Sequence, residues 1–340
     1  MQEAIVRGIG RKERRHASPI PGQTGGEKLR LYAPELCMVV LLISAGLCHA
    51  QSLTPRAYVI TPPHFNAITM TYSFSEGATL FNPALPVTDA TAKFSAPDIS
   101  FVHSLNFFGR SANIAVLLPY VVGDFSGNVL GNFASTHRSG MGDLAFRFSV
   151  NLKGGRAMSL QEFRSWHQKT LVGASLLVSA PTGQYDSSQL INLGNNRWGF
   201  KPELGVSTRR RNWVLDWYGG VWLYTTNPEF YSHNDYYPGI NTLSQNPIGA
   251  TELHLSYDVK PRLWVSYDLN YWYGGRLILN GTERPESLIS DSRSGVTGSF
   301  PVTRHGSLKL SYSDGIYIRR GGNYRTLSVG WQYSWLGSPN

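Results

Sequence analysis

Nine ionisable residues occupy alternate positions in segments whose other residues are apolar: Asp143, Arg147, Lys201, Glu203, Asp216, Glu252, His254, Asp268 and Lys309. In a strand, alternate residues share a face. Acids and bases on one enclosed face can pair, and the field of such pairs sorts solutes that pass them. The alternative is that they only brace the interior. A second group lies between Pro181 and Trp198: Tyr185, Asp186, Asn192, Asn195, Asn196 and Arg197. These are hydrogen-bonding side chains among turn-forming glycines, suited either to an inward-folded constriction that meets a solute or to plain loop architecture with Asx-type turns. Catalytic signatures are lacking: there is no G-x-S-x-G, H-E-x-x-H or P-loop. Asp143 and Glu203 are the one pair of carboxylates worth considering, and nothing in the sequence brings them together. No cofactor and no metal site is expected.

The elements that would position these residues are strands. Twelve alternating segments follow one another: 68–74, 98–107, 114–120, 143–150, 170–180, 198–207, 213–221, 252–257, 263–273, 293–300, 307–312 and 327–335. The fifth is apolar on both faces, so its parity stays open. In the ninth, Leu263, Val265, Tyr267, Leu269, Tyr271 and Tyr273 oppose Ser266, Asp268 and Asn270. In the last, Leu327, Val329, Trp331, Tyr333 and Trp335 oppose Ser328, Gly330, Gln332 and Ser334. A large aromatic face opposite a small polar one suits a barrel with lipid outside and a polar lumen. Even-to-odd connections are tight, around Arg110, Arg209 to Arg211, Lys260 to Arg262, and Arg304 with His305. The exception is 153–168, which has room for a short periplasmic helix over 157–167. Odd-to-even connections read as long loops rich in Gly, Asn, Ser and Pro: 77–97, 123–139, 182–197, 225–246, 275–291 and 314–324. An even strand count with alternating short and long connections predicts an all-β, transmembrane, antiparallel up-and-down barrel of outer-membrane type. A β-propeller is the soluble alternative, but no repeat of about 40–50 residues is present. Tyr224, Trp272 and Trp335 are expected in the interfacial girdles.

Composition fits. Of 340 residues only 16% are charged, 12% are aromatic and 35 are Gly, with mean hydropathy −0.21. Soluble domains carry about a quarter charged residues. The most apolar run is 38–47, M-V-V-L-L-I-S-A-G-L, preceded by Lys28 and Arg30 and followed by Cys48, His49 and Ala50. It predicts a secretory signal cleaved after Ala50, so that 1–50 is an extension with signal peptide and 51–340 is the barrel domain. A buried helix and lipidation at Cys48 are the alternatives; Leu47 is large for the residue before a lipidated Cys. Both cysteines, Cys37 and Cys48, fall in that segment, which removes disulfides and thiolate chemistry from the remainder. It also holds seven of 31 Lys+Arg and four of 22 Asp+Glu, so the rest has 24 basic and 18 acidic residues, a charge of about +6. That excess, without basic clusters interleaved with aromatics, gives no reason to expect nucleic acid as a partner.

The closing segment also resembles the C-terminal signal read by the barrel-assembly machinery, through Ser328, Gly330, Tyr333 and Trp335, although 336–340 follow it. Further motifs are L-P-Y at 118–120, G-M-G-D at 140–143, P-T-G-Q-Y-D at 181–186, N-L-G-N-N-R-W-G-F-K-P-E-L-G at 192–205 and L-W-V-S-Y-D-L-N-Y-W-Y-G-G at 263–275. Together they resemble the MetA pathway of phenol degradation family. The resemblance implies a Gram-negative outer-membrane barrel acting as a passive channel or transporter for small organic, aromatic or apolar, molecules. The expected partners are outer-membrane lipid, the assembly machinery and a small solute. The alternatives are a structural or surface-interaction barrel with a closed lumen, and an outer-membrane lipase, for which His103 shares parity with Ile99, Phe101 and Leu105.

Overall fold

Alternation decides the fold, because a barrel in lipid leaves no backbone donor unpaired and needs a lipid-compatible side chain at every second residue. The structure, a computed structural model, describes residues 54–80, 87–129, 131–234 and 238–337. The proposed export signal lies outside the described residues.

Twelve strands close into one antiparallel barrel. They are β1 (Phe65–Leu80), β2 (Val87–Phe107), β3 (Arg110–Val129), β4 in two pieces (Asn132–Met141 and Ala145–Lys153), β5 (Thr170–Ser179), β6 (Gly199–Arg210), β7 (Trp213–Tyr224), β8 (Ile248–Lys260), β9 (Leu263–Gly274), β10 (Ile289–Pro301), β11 (Gly306–Ile318) and β12 (Gly321–Leu336). Each pairs with its sequence neighbours, and β12 closes on β1 in a register that sets Ile68 opposite Tyr333 and Phe74 opposite Leu327.

The outer face is apolar along its length: Met70, Tyr72, Leu118, Leu204, Trp217, Val265, Tyr267, Tyr312, Val329 and Trp331 are all exposed. Inward residues are small or polar. The unsettled parity of β5 is resolved, with Gly173, Ser175 and Ser179 inside and Leu176 outside. Periplasmic turns are tight; the β2–β3 turn is Phe108–Gly109, with φ of 49° and 82°. The long connection after β4 carries the expected helix, α1 (Leu160–Ser165). It starts at a capping box: the Ser159 hydroxyl accepts from the Glu162 amide while the Glu162 carboxylate accepts from the Ser159 amide.

Three segments read as loops are largely strand. Residues 77–97 and 123–139 lie mostly in the β1–β2 and β3–β4 hairpins, and 314–324 in the β11–β12 hairpin. Their glycines belong to strands because the neighbouring strand lies hard against them. A Cβ at Gly123 would strike Phe94, and one at Gly77 would strike the β12 backbone at Asn323 and Tyr324. The wall is therefore lopsided: β2 and β3 run 21 and 20 residues, β8 and β9 only 13 and 12. Over the low side lie true loops, residues 180–198, 225–247 apart from 235–237, and 275–288. The latter two contribute a small sheet of Leu243–Gln245, Leu277–Leu279 and Thr282–Arg284.

Candidate functional site

Strand parity turns the scattered charges of the sequence into one network. Lys201 and Glu203 are both inward on β6, and Lys201 Nζ lies 2.6 Å from Glu203 and 2.8 Å from Glu252 on β8. His254, two residues along β8, places Nε2 3.5 Å from Glu252 and Nδ1 2.8 Å from Asp268 on β9. The Thr297 hydroxyl on β10 donates to the second Asp268 oxygen at 2.7 Å. At the other end Arg147 on β4 reaches Glu203 at 3.5 Å. Charges removed from water need such partners, since an unpaired one is costly. Asp143 and Lys309 do not join this belt. Asp143 occupies the break in β4, and Lys309 faces inward from β11, where the carboxylates acting on it are Asp268 and Asp98.

The segment before β1, which sequence reasoning did not single out, enters the barrel from the periplasmic end. Arg56 donates its amide to Asp216 at 3.1 Å and pairs with Asp258 at 2.6 Å, its guanidinium 4.5 Å above the Trp264 ring. The Ala57 amide donates to the Tyr218 hydroxyl at 3.0 Å. Tyr58, 2% exposed, donates to Glu203 at 3.0 Å and accepts from the Ser175 hydroxyl at 3.0 Å. Burial pushes its phenol up to about 12, so it remains a donor to the carboxylate at physiological pH. Its ring rests where Gly173 and Gly205 stand opposite each other on β5 and β6, and a Cβ at either would strike it. Ile60 packs with Met158 and Leu171, and the Thr61 hydroxyl hydrogen-bonds Ser104 on β2. Residues 56–61 thus strap the lumen from β7–β9 across to β2. The one available signal was the pair of inward glycines, Gly173 and Gly205, at matching positions of adjacent strands.

The outer loop 180–198 folds onto the break in β4. Asp143 accepts from the Gly183 amide at 2.9 Å and from the Asn195 amide and side chain at 2.9 and 2.8 Å. The G-M-G-D, P-T-G and N-L-G-N-N motifs therefore meet at one carboxylate, with Gly183 and Gly194 in contact at the crossing. Asn192 stitches the loop through the Asp186 amide and the Asp186 and Gln189 carbonyls. Asp186 caps the Ser188 amide and hydroxyl, and those hydrogen bonds hold its carboxyl below the usual range. Buried Asn227, also missed by the sequence reading, joins Tyr185, Asn195 and Asn196 to the next loop. Arg197 lies 4.3 Å from the Tyr224 ring centre and donates to Gln245 at 2.7 Å. The loop then sends Ile191 and Leu193 against Ala92, Phe94, Val121, Phe125 and Tyr324, which point inward near the outer mouth.

Two of the three girdle assignments are corrected. Trp222, Tyr224 and Trp272 point inward and pack with Ile248 and Ala250, because the parity set by Tyr218 on β7 and Asp268 on β9 carries them inside. Trp335 stays on the outer side, near Tyr333 and Phe101. His103 is also on the outer side, at the periplasmic rim, where its Nδ1 meets the Asn66 amide oxygen at 2.8 Å.

The model of the family described as "Putative MetA-pathway of phenol degradation" matches residues 73–297. No curated protein matches this chain. Among solved structures, an outer membrane channel from Pseudomonas putida is similar, with a TM-score of 0.67 and 19% identity over 84% of this chain and 100% of that one. The β domain of the Bordetella autotransporter BrkA has a TM-score of 0.46 and 12% identity over 80% and 100% of the two chains. The KdgM porin in complex with disordered oligogalacturonate has a TM-score of 0.41 and 8% identity over 78% and 99%.

Proposed function

This chain belongs to the MetA-pathway phenol-degradation family of outer-membrane barrels, and from that premise we propose that it is a passive, non-catalytic channel for small organic molecules. The observation that carries the proposal is an inner face of small polar residues that stays half-exposed on β1, β2, β11 and β12. A twelve-stranded barrel is wider than the eight-stranded type that side chains fill. The fold shared with a Pseudomonas putida protein described as an outer membrane channel supports the reading. The family's description supports aromatic solutes. The charged belt and Lys309 would set the field a solute meets, and the loop from Tyr185 to Arg197 would narrow the outer mouth.

A closed structural barrel is the second reading. It is favoured by the strap at Arg56 and Tyr58 and by the apolar contact of Ile191 and Leu193 with the wall. Planar-bilayer conductance and liposome swelling separate the two. Ion current and solute entry are expected of the channel; their absence in protein that is folded and inserted would leave the closed barrel. Export through cleavage after Ala50, and recognition of β12 by the barrel-assembly machinery, belong to the same proposal. The lipase alternative gains no support from His103, whose Nδ1 partner is an amide and not a serine.

A further inference from the structure

The inner face has two walls that differ in exposure. Mid-barrel on β6 to β10, Glu203, Asp216, His254, Ser266, Asp268 and Thr297 are all buried against one another and the strap. Across from them, Thr69, Thr71, Asp98, Ser100, Lys309 and Ser328 are only half-buried. A side chain that points into a closed barrel takes its exposure from space inside it. That space is bounded towards the periplasm by Ala67, Ser104 and Ser111, buried where the strap crosses. Towards the outside it is bounded by buried Ser75, Ser313 and Tyr324, beneath the contact of Phe94 and Phe125 with the outer loop.

Strand register gives the space its chemistry. Lys309, Gly330, Thr71 and Asp98 stand side by side on four adjacent strands. Gly330 contributes no side chain between Lys309 and Thr71, and Thr71 stands directly opposite Asp98. Among the described residues Lys309 forms no ion pair, so an ammonium and a carboxylate face the space together. Towards the periplasm the same wall turns apolar, with half-buried Val102, Ala115 and Leu117.

We propose that this space is a binding chamber on the permeation path, selective for a small, net-uncharged amphipathic molecule bearing a hydroxyl group. The hydroxyl donates to Asp98 and accepts from Lys309, and the apolar body lies on Val102, Ala115 and Leu117. A charged solute meets one favourable and one repelling group and gains less from the pair. The proposal rests on the channel reading, but its test separates the two.

Single cysteines are placed at Ser328 and Ser100 in the chamber and at Ser266 on the buried wall, with the unsubstituted chain as background for Cys37 and Cys48. Neutral methyl methanethiosulfonate should modify the first two at least about tenfold faster than the third, because thiol reactivity needs access. Benzyl alcohol should slow modification of Ser328→Cys, whereas benzoate and benzylammonium at equal concentration should not. Lys309→Met should abolish that protection in barrels that keep their folded electrophoretic mobility. Equal rates at all three positions would remove the chamber, and equal protection by the charged analogues would remove its selectivity. Failure of the channel reading would appear separately, as absent conductance alongside intact protection.

Discussion

Asp143 is the anchor at which the outer loop crosses the break in β4. Its carboxylate takes three hydrogen bonds from Gly183 and Asn195, and it is 1% exposed. Asp143→Ala leaves buried donors unmatched, at about 1–3 kcal/mol each. Faster protease cleavage within 180–198 and a lower unfolding temperature are expected, with Asp143→Asn between the variant and the parent. Unchanged cleavage would mean the loop is held elsewhere. Tyr58 makes a similar case at the other end. Tyr58→Ala should loosen the strap and raise conductance, while Tyr58→Phe, which keeps the ring on its two glycines, should change it less. The inward charges were legible in sequence because alternation fixes parity. Their partners were not, since pairs such as Lys201 with Glu252 and His254 with Asp268 depend on which strands are neighbours and on register. Half-buried Asp98 on β2 and buried Arg293 on β10 are further charges that the sequence reading did not name.

At the scale of the element, β12 and the β5–β6 pair show what period two reveals and what it hides. The aromatic face of β12 indicated lipid, and the register opposite β1 follows from it. Val329 is 41% exposed on that face. Val329→Arg should therefore cost about 2–4 kcal/mol if it lies near the bilayer midplane. The readout is loss of the heat-modifiable electrophoretic shift of the folded barrel; an unaffected shift would argue against lipid contact at this position. On β6, Gly205 spaces the wall for the Tyr58 ring. Gly205→Val should displace the strap and reproduce the conductance increase of Tyr58→Ala. If conductance instead falls with the barrel still folded, the valine itself blocks the passage. Hairpin ends misled the reading for the same reason that hid the strap. Glycines that let a neighbouring strand or ring come close look like turn residues in sequence, as at Gly77, Gly123 and Gly205.

On the scale of the whole molecule, the barrel combines a lipid-facing apolar surface, one packed and charged inner wall, and one half-exposed hydroxyl wall. The strap crosses the inside of the barrel towards the periplasmic end, and loop 180–198 packs on the inner wall near the outer end. Strand number and lipid orientation follow from the periodicity of residues 68–335, whereas the lopsided height, the strap and the packing of the outer loop arise from contacts between distant segments. The most direct test of the channel is single-channel recording of the full chain in a planar bilayer, in parallel with Tyr58→Ala. A small, steady conductance for the parent and a larger one for the variant are predicted. No current from either, with insertion verified, would contradict a channel and leave a barrel sealed along its length.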